Sequence, residues 1–426
     1  MRQQIATNLE VWLENMKLYR NSNNYDIAFI DSSYTFEAIW AKDLKQVIDS
    51  RTFGIDSVKV LSIHPTAFRS AEQGIIRSVN KVNSRFVFLQ CADVFGLGKN
   101  RFMGLLLIIF FWFRVCKLCK NRNIGVIQLS DLSIAGFFGF ALARILNKPY
   151  FVRLPVKYVV MRQKNFLLSV LSWCRRYIMR NSEFIVTPNK IYVKQFLEDI
   201  VRNDSVFDIG YFNYVDKRHF LEPESPSREP SVFIDFDLSL KYVVCVSRLE
   251  PVKRVADVLL IFERISKQLE DIRLLIVGDG YLRSELESKS VRLGLGRKVE
   301  FLGEVDQGTL SWLLPRCSLC VSPITGRSLI EVMLAECAIV AFDCDWQAEI
   351  ISDNHNGRLV SSENLDEAVT ASIELLTHSK VSTVLGKNAR KTALDRADEC
   401  SEQMDRVSNA ILTLLKAKRD NVRNIT

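Results

Sequence analysis

Between Val255 and Leu269 the apolar residues Val255, Val258, Leu259, Phe262, Ile265 and Leu269 recur at steps of three and four, which predicts one buried stripe of an amphipathic helix. Short, near-continuous apolar runs flank it, Tyr242-Val-Val-Cys-Val-Ser247 before and Arg273-Leu-Leu-Ile-Val-Gly278 after. Val299–Gly303, Ser318–Ser322 and Ala338–Asp343 continue the series. Runs of this length without alternation imply strands buried on both faces. A second helix is expected after Gly280, through Leu282, Leu286 and Leu293. Strand and helix alternating in this order give right-handed crossovers and a parallel sheet.

The first half repeats the grammar. Tyr25–Ile30, Val58–Ile63, Arg85–Gln90, Gly125–Leu129, Tyr150–Leu154 and Glu183–Thr187 read as strands, most of them separated by helical stretches. Between the halves, Leu221–Pro230 packs three prolines and several charges into ten residues, the composition of a linker. The pattern predicts an α/β protein of two parallel-sheet domains, residues 1–220 and 236–400, joined by a linker at 221–235. Such domains leave a cleft, and ligands bind beyond the carboxyl ends of the strands.

Composition narrows the classes. With 426 residues, 48% apolar and 25% charged, the chain is too long for a single small module and too apolar for extended disorder or collagen. Its ten cysteines are scattered, and the start MRQQIATNLEVW carries no basic-then-apolar leader, so a secreted disulfide framework is not expected and the reading is cytosolic. The net charge of +8 conceals a division: residues 1–220 hold 31 Lys and Arg against 17 Asp and Glu, the remainder 26 against 32. From Lys99 to Arg180 there are 15 basic residues and one acid, Asp131, a field that attracts polyanions. Within it lies the apolar run Phe102–Phe113, shorter than the ~20 residues a spanning helix needs. It reads either as a buried helix or as a face that dips into a lipid interface beside flanking cations. Because apolar runs interrupt the basic residues and no RNA-binding or zinc-finger spacing occurs, an anionic membrane surface is expected as partner ahead of nucleic acid.

Three loops of the second half carry candidate chemistry. Ser247-Arg248-Leu-Glu-Pro-Val-Lys253 places a guanidinium and an ammonium on one strand-to-helix turn, where they can converge on a phosphate or remain solvated. Gly278-Asp279-Gly280 is a tight turn whose glycines permit close approach to a ligand. It is not a dinucleotide fingerprint, since Arg283 stands where a third glycine would be required. Thr325-Gly326-Arg327-Ser328-Leu329-Ile330-Glu331 opens a helix; its amides suit an anion and Glu331 suits sugar hydroxyls, yet Ser328-x-x-Glu331 is equally a capping box. In the first half Asp131 and His64 follow strands, as acceptor-orienting groups or as cap and turn residues. The pairs Cys116/Cys119 and Cys317/Cys320 lie about 200 residues apart and read as packed thiols, with no metal expected.

The order and spacing of these loops resemble the glycosyltransferases of family 4, which have the GT-B fold, two Rossmann-like domains facing each other across a cleft. That family runs from V-G-R-L-x-x-x-K-G through G-x-G and F-L-G to a helix with E-A-M-A, then E-I-V and N-G. Here stand Val246-Ser-Arg-Leu-Glu-Pro-Val-Lys253, Val277-Gly-Asp-Gly280, Phe301-Leu-Gly303, Ser322-Pro323, Glu331-Val-Met-Leu-Ala335, Glu349-Ile-Ile351 and Asn356-Gly357. Ile209–Asp216 extends the likeness weakly into the first half. The resemblance implies retaining transfer of a sugar from a nucleotide-sugar donor to a lipid-linked or other glycan acceptor, at the cytosolic membrane face and without metal or other cofactor. It implies that Arg248 and Lys253 hold the diphosphate and that Glu331 grips the ribose. Ser247, Gly278, Gly280, Gly326, Arg327, Ser328 and Leu329 then line the donor, Asp131 serves the acceptor, and residues 401–426 form a helix crossing back to the first domain.

Several residues depart from the family. The first glutamate of its E-x7-E pair falls on Pro323, the E-G-F-G loop is shortened to Pro323–Ser328, and the glycine-rich loop after the first strand is replaced by Asp31-Ser-Ser-Tyr-Thr35. Asp343-Cys-Asp345 spells a metal motif but follows a buried strand, and no metal is assigned to it. These departures leave open a scaffold that binds nucleotide or sugar without turnover, with nucleic-acid binding as a weaker alternative.

Overall fold

The computed structural model describes residues 27–30, 60–64, 86–90, 112–120 without 114 and 118, 124–130, 132, 134–154, 166–187, 205–210, 215, 220, 236–237 and 239–423 without 325 and 345. The chain divides into two compact units, Met1–Ile209 with Ser401–Thr426, and Gly210–Cys400.

In the first unit, β1 (Ile27–Ile30), β2 (Val60–His64), β3 (Phe86–Gln90), β4 (Val126–Leu129), β5 (Tyr150–Arg153), β6 (Ile185–Thr187) and β7 (Val206–Asp208) form one sheet in the order β3-β2-β1-β4-β5-β6-β7. Every pairing is parallel. α1 (Ile134–Leu146) joins β4 to β5, and α2 (Phe166–Arg180) joins β5 to β6. Ile127 and Leu129 of β4 share a buried cluster with Leu142 of α1 and with Ile178 and Met179 of α2. Of the apolar run Phe102–Phe113 only the last two residues are described. Trp112 packs on that cluster with its ring 4.9 Å from Phe138, while Phe113 is exposed.

The second unit holds β8 (Lys241–Val246), α3 (Val255–Ile265), β9 (Ile272–Val277), α4 (Arg283–Arg292), β10 (Val299–Gly303), α5 (Gln307–Leu313), β11 (Leu319–Ser322), α6 (Ser328–Leu334), β12 (Ile339–Phe342), α7 (Gln347–Ile350), β13 (Arg358–Val360), α8 (Leu365–Thr377) and α9 (Ser379–Arg423). Its six strands run β10-β9-β8-β11-β12-β13, all parallel. Successive strand residues alternate between two cores. Val243, Cys245, Leu274 and Ile276 pack with α3 and α8, whereas Tyr242, Val244, Leu275 and Val277 pack with α6 and α9. Burial on both faces is why these strands read as unbroken apolar runs. In both sheets the strand order reverses beside the first strand, between β1 and β4 and between β8 and β11, where open α/β sheets bind ligands.

Three expectations change. The second unit begins at Gly210, because Val215 and Phe220 are buried in its core with Tyr242; the proline-rich linker at 221–235 lies outside the described residues. The last helix begins at Ser379, not near residue 401, and runs unbroken to Arg423, with Ala389, Ala393 and Ala397 buried along one stripe. Its residues from Ser401 group with the first unit, where the Arg406 guanidinium lies 5.5 Å from the Phe207 ring. β7 and β13 are additional strands of three residues each, partly exposed and without the apolar run that marks the others. Among the described residues no helix is long and apolar enough to cross a membrane.

Candidate active site

The carboxyl ends of β8, β9 and β11 bring the three loops of the second unit together. The Ser247 amide donates to the Val277 carbonyl at 2.9 Å, and the Leu249 amide donates to the Asp279 carbonyl at 2.9 Å, so the β8 and β9 loops are bonded edge to edge. A methyl group at Gly278, whose φ is +122°, would come within 2.1 Å of the Ser247 carbonyl oxygen, and one at Gly280 within 2.5 Å of the Leu249 carbonyl oxygen. These glycines therefore permit close approach of one loop to another. Arg283 is clamped by Glu287 at 2.8 Å, Asp279 at 3.2 Å and the Phe301 carbonyl at 3.0 Å. It ties β10 to the same turn.

Arg248 leaves the end of β8 with its side chain 62% exposed and ion-paired to Glu250 at 2.6 Å. An exposed pair of this kind is worth about 0–1 kcal/mol, a weak competitor for a guanidinium offered a diphosphate. Lys253 closes a 3-10 turn, Pro251–Lys253, just ahead of α3. The motif's glycine position after it is Arg254, left-handed at φ 55°, with its Nε donating to Asp257 at 2.6 Å and its guanidinium 4.9 Å from the Phe342 ring centre. The sequence reading missed Arg254; an acid three residues on in the helix's first turn was the available signal.

The third loop corrects another expectation. Ser328 and Glu331 do not form a capping box: the residue before α6 makes no side-chain cap bond. The Ser328 hydroxyl instead donates to the Val246 carbonyl at 2.9 Å, joining the start of α6 to the end of β8 across the switch point. The Leu329 amide is engaged by the Gly326 carbonyl at 3.1 Å, so it serves the first turn of the helix. Glu331 is buried, with Oε1 accepting from Gln307 Nε2 at 2.6 Å. Burial pushes its carboxyl above the usual range, opposed by the Gln307 hydrogen bond and the Arg327 charge. An ionisable acceptor held at the carboxyl end of the sheet, beside an exposed Arg327, can receive hydroxyl hydrogen bonds. Gln307, on α5, was not singled out from the sequence.

Pro323, in place of the first glutamate, carries a different anchor. The fully buried Gln347 donates through Nε2 to the carbonyls of Ser322 at 3.0 Å, Pro323 at 3.0 Å and Phe342 at 3.2 Å, fixing the ends of β11 and β12. Asn356 is likewise structural, donating to Ile350 at 2.8 Å and accepting from the Ser352 amide at 2.7 Å. Cys317 and Cys320 are buried, their thiols raised by desolvation, in keeping with packed thiols. Among the described residues no group of three or more His, Cys, Asp or Glu is gathered as for a metal. Asp131, Thr325 and Asp345 lie outside the described residues. His64 is the last residue of β2. Near the carboxyl end of β4, both amide atoms of the fully buried Gln128 and the hydroxyl of Ser130 have no hydrogen-bond partner among the described residues.

Two parallel sheets, each in a doubly wound order, with donor-type loops at the second switch point, define a protein of the GT-B fold. Residues 232–392, most of the second unit, match the family of glycosyl transferases group 1. Over 325 residues the chain is 26% identical to the N-acetylgalactosamine-N,N'-diacetylbacillosaminyl-diphospho-undecaprenol 4-alpha-N-acetylgalactosaminyltransferase of Campylobacter jejuni, covering 73% of this chain and 82% of that one. Over 161 residues it is 26% identical to the poly(ribitol-phosphate) alpha-N-acetylglucosaminyltransferase of Staphylococcus aureus, covering 37% of this chain and only 32% of that longer protein. The crystal structure of HepE from Anabaena in complex with UDP superposes with a TM-score of 0.64 at 16% identity, over 94% of this chain and 100% of that one.

Proposed function

We propose that the protein is a retaining glycosyltransferase that moves a sugar from a nucleotide-sugar donor to a lipid-linked or other cell-envelope glycan acceptor at the cytosolic face of a membrane. The observation that carries this reading is the buried Glu331 carboxylate, held by Gln307 on a helix whose Ser328 is bonded to the end of β8, the strand that leads directly into Arg248. The arrangement supports a division of the donor's parts by chemistry. Glu331 accepts from the ribose hydroxyls, and Arg248 and Lys253 take the diphosphate. When the bond between the anomeric carbon and the phosphate oxygen breaks, its electron pair leaves with the nucleoside diphosphate; the acceptor hydroxyl oxygen forms the new bond and releases its proton. Fixed donors aimed at such developing charge are worth about 3–4 kcal/mol each. Two cations placed at the leaving group let the transfer proceed without a metal.

The relatives' names support the acceptor class: one acts on a diphospho-undecaprenol glycan and the other on a poly(ribitol-phosphate) polymer. The neighbour crystallised with UDP supports a uridine nucleotide as the first donor to try. Pro323, standing where a carboxylate is usual, favours a second reading, a scaffold that binds the donor without turnover. One experiment separates the two. A panel of nucleotide sugars is incubated with the protein and a membrane extract; release of nucleoside diphosphate that needs both donor and extract supports transfer, and saturable donor binding without release supports the scaffold.

A further inference from the structure

On α2 the residues Trp173, Arg176, Tyr177 and Arg180 stand at positions i, i+3, i+4 and i+7, one stripe of the helix, and all four are exposed. Trp173 is 66% exposed, and its ring stacks on that of Tyr177 with centres 5.9 Å apart and planes at 24°. The Tyr177 hydroxyl accepts from the Arg144 guanidinium at 3.3 Å, which carries the patch across to α1, where the next residue, Ile145, is 65% exposed. The Phe140 ring lies edge-on to Tyr177 at 6.1 Å with Arg144 5.3 Å from its centre, so the two helices present one continuous aromatic and basic surface.

We infer that the Trp173–Tyr177 pair, with Ile145, Arg144 and Arg176, is an anchor that docks the first unit on an anionic lipid surface. Large exposed apolar side chains gathered in one place mark an interaction site. Trp and Tyr rimmed by arginine suit the boundary between headgroups and acyl chains, where the rings bury apolar area and the cations meet lipid phosphate. The charge sets the sign of the partner, since Lys99–Arg180 holds 15 cations and one acid. Single-stranded nucleic acid also uses aromatic and basic residues, but it needs open ring faces for its bases. Here Trp173 and Tyr177 each turn one face to the other, leaving at most one face per ring, and Ile145 offers aliphatic surface that suits acyl chains better than bases. The inference deepens the membrane part of the proposed function and rests on it for its purpose. The test contains neither donor nor acceptor, so anchor and transfer can fail separately.

The full chain is sedimented with vesicles of phosphatidylglycerol and phosphatidylcholine in equal parts, and with phosphatidylcholine alone. Binding to the anionic vesicles only, and its release by added salt, is expected. Each cation near such a surface contributes about fivefold in affinity, so the variant Trp173→Ser with Arg176→Glu is expected to bind at least about twentyfold more weakly. A variant that pellets like the wild type overturns the inference, as does displacement of the protein from vesicles by a single-stranded oligonucleotide. Because the double variant changes both charge and packing, a conservative one accompanies it. Lipids with brominated acyl chains are expected to quench tryptophan fluorescence in the wild type and much less in Trp173→Phe; equal quenching in both overturns the assignment to this patch.

Discussion

Burial raises the Glu331 carboxyl above the ordinary glutamate range, opposed by the Gln307 hydrogen bond and the Arg327 charge. A raised acid in the folded state binds its proton more readily than in the unfolded chain, so stability falls as pH rises through that window and the cost persists at neutral pH. Glu331→Gln is therefore expected to raise the melting temperature at pH 7 in calorimetry, since Gln307 can still donate to a neutral oxygen. The same variant is expected to weaken donor binding, read as a higher KM, by the ~1–3 kcal/mol lost when a charged acceptor becomes a neutral one. In the wild type, donor affinity is expected to fall as pH drops toward the raised value, earlier than an ordinary glutamate would allow. Glu331 was legible in the sequence as a carboxylate on a helix start. Its partner was not: Gln307 lies 24 residues away, and only the packing of α5 beside α6 brings the two side chains together. The sequence spacing of Ser328 and Glu331 suggested a local cap, yet each bonds to a distant element, because tertiary hydrogen bonds outcompeted the local ones.

At the scale of elements, the strands that carry the loops were readable because burial on both faces leaves nothing polar along them. Val299–Gly303 was found with its bounds unchanged, and β8, β9, β11 and β12 within a residue at each end. β7 and β13 escaped because three-residue strands with exposed positions carry no such run. Also illegible were the contacts that seat one element on another. A methyl group at Gly386 of α9 would come within 2.0 Å of the Glu336 carbonyl oxygen at the end of α6, so Gly386→Ala must push backbone from backbone. It is expected to cost about 1–3 kcal/mol in urea unfolding, and Gly280→Ala a similar amount together with lost donor affinity. Ala at the exposed Gly294, where no atom lies within 4 Å, is the control for steric crowding, although its left-handed φ of +71° still carries strain.

Over the whole molecule, chemistry and charge are divided between the units. Gly210–Cys400 carries a net −7, with Arg248 and Lys253 on its β8 loop, whereas the first unit carries +15. This division was visible by counting residues. The two parallel sheets followed from strand order and apolar runs, while the acceptor side stayed dark because composition names an isolated acid, Asp131, without placing it. The central claim is that Arg248 and Lys253 neutralise a departing nucleoside diphosphate. Its most direct test is diphosphate release from a nucleotide sugar in the presence of membrane extract, compared between the wild type and the Arg248→Ala/Lys253→Ala variant with unchanged circular dichroism. Since about 3–4 kcal/mol from either cation alone is already ~100-fold or more, the account predicts that kcat/KM falls by at least ~100-fold on removing both. A variant that turns over donor at the wild-type rate would contradict it.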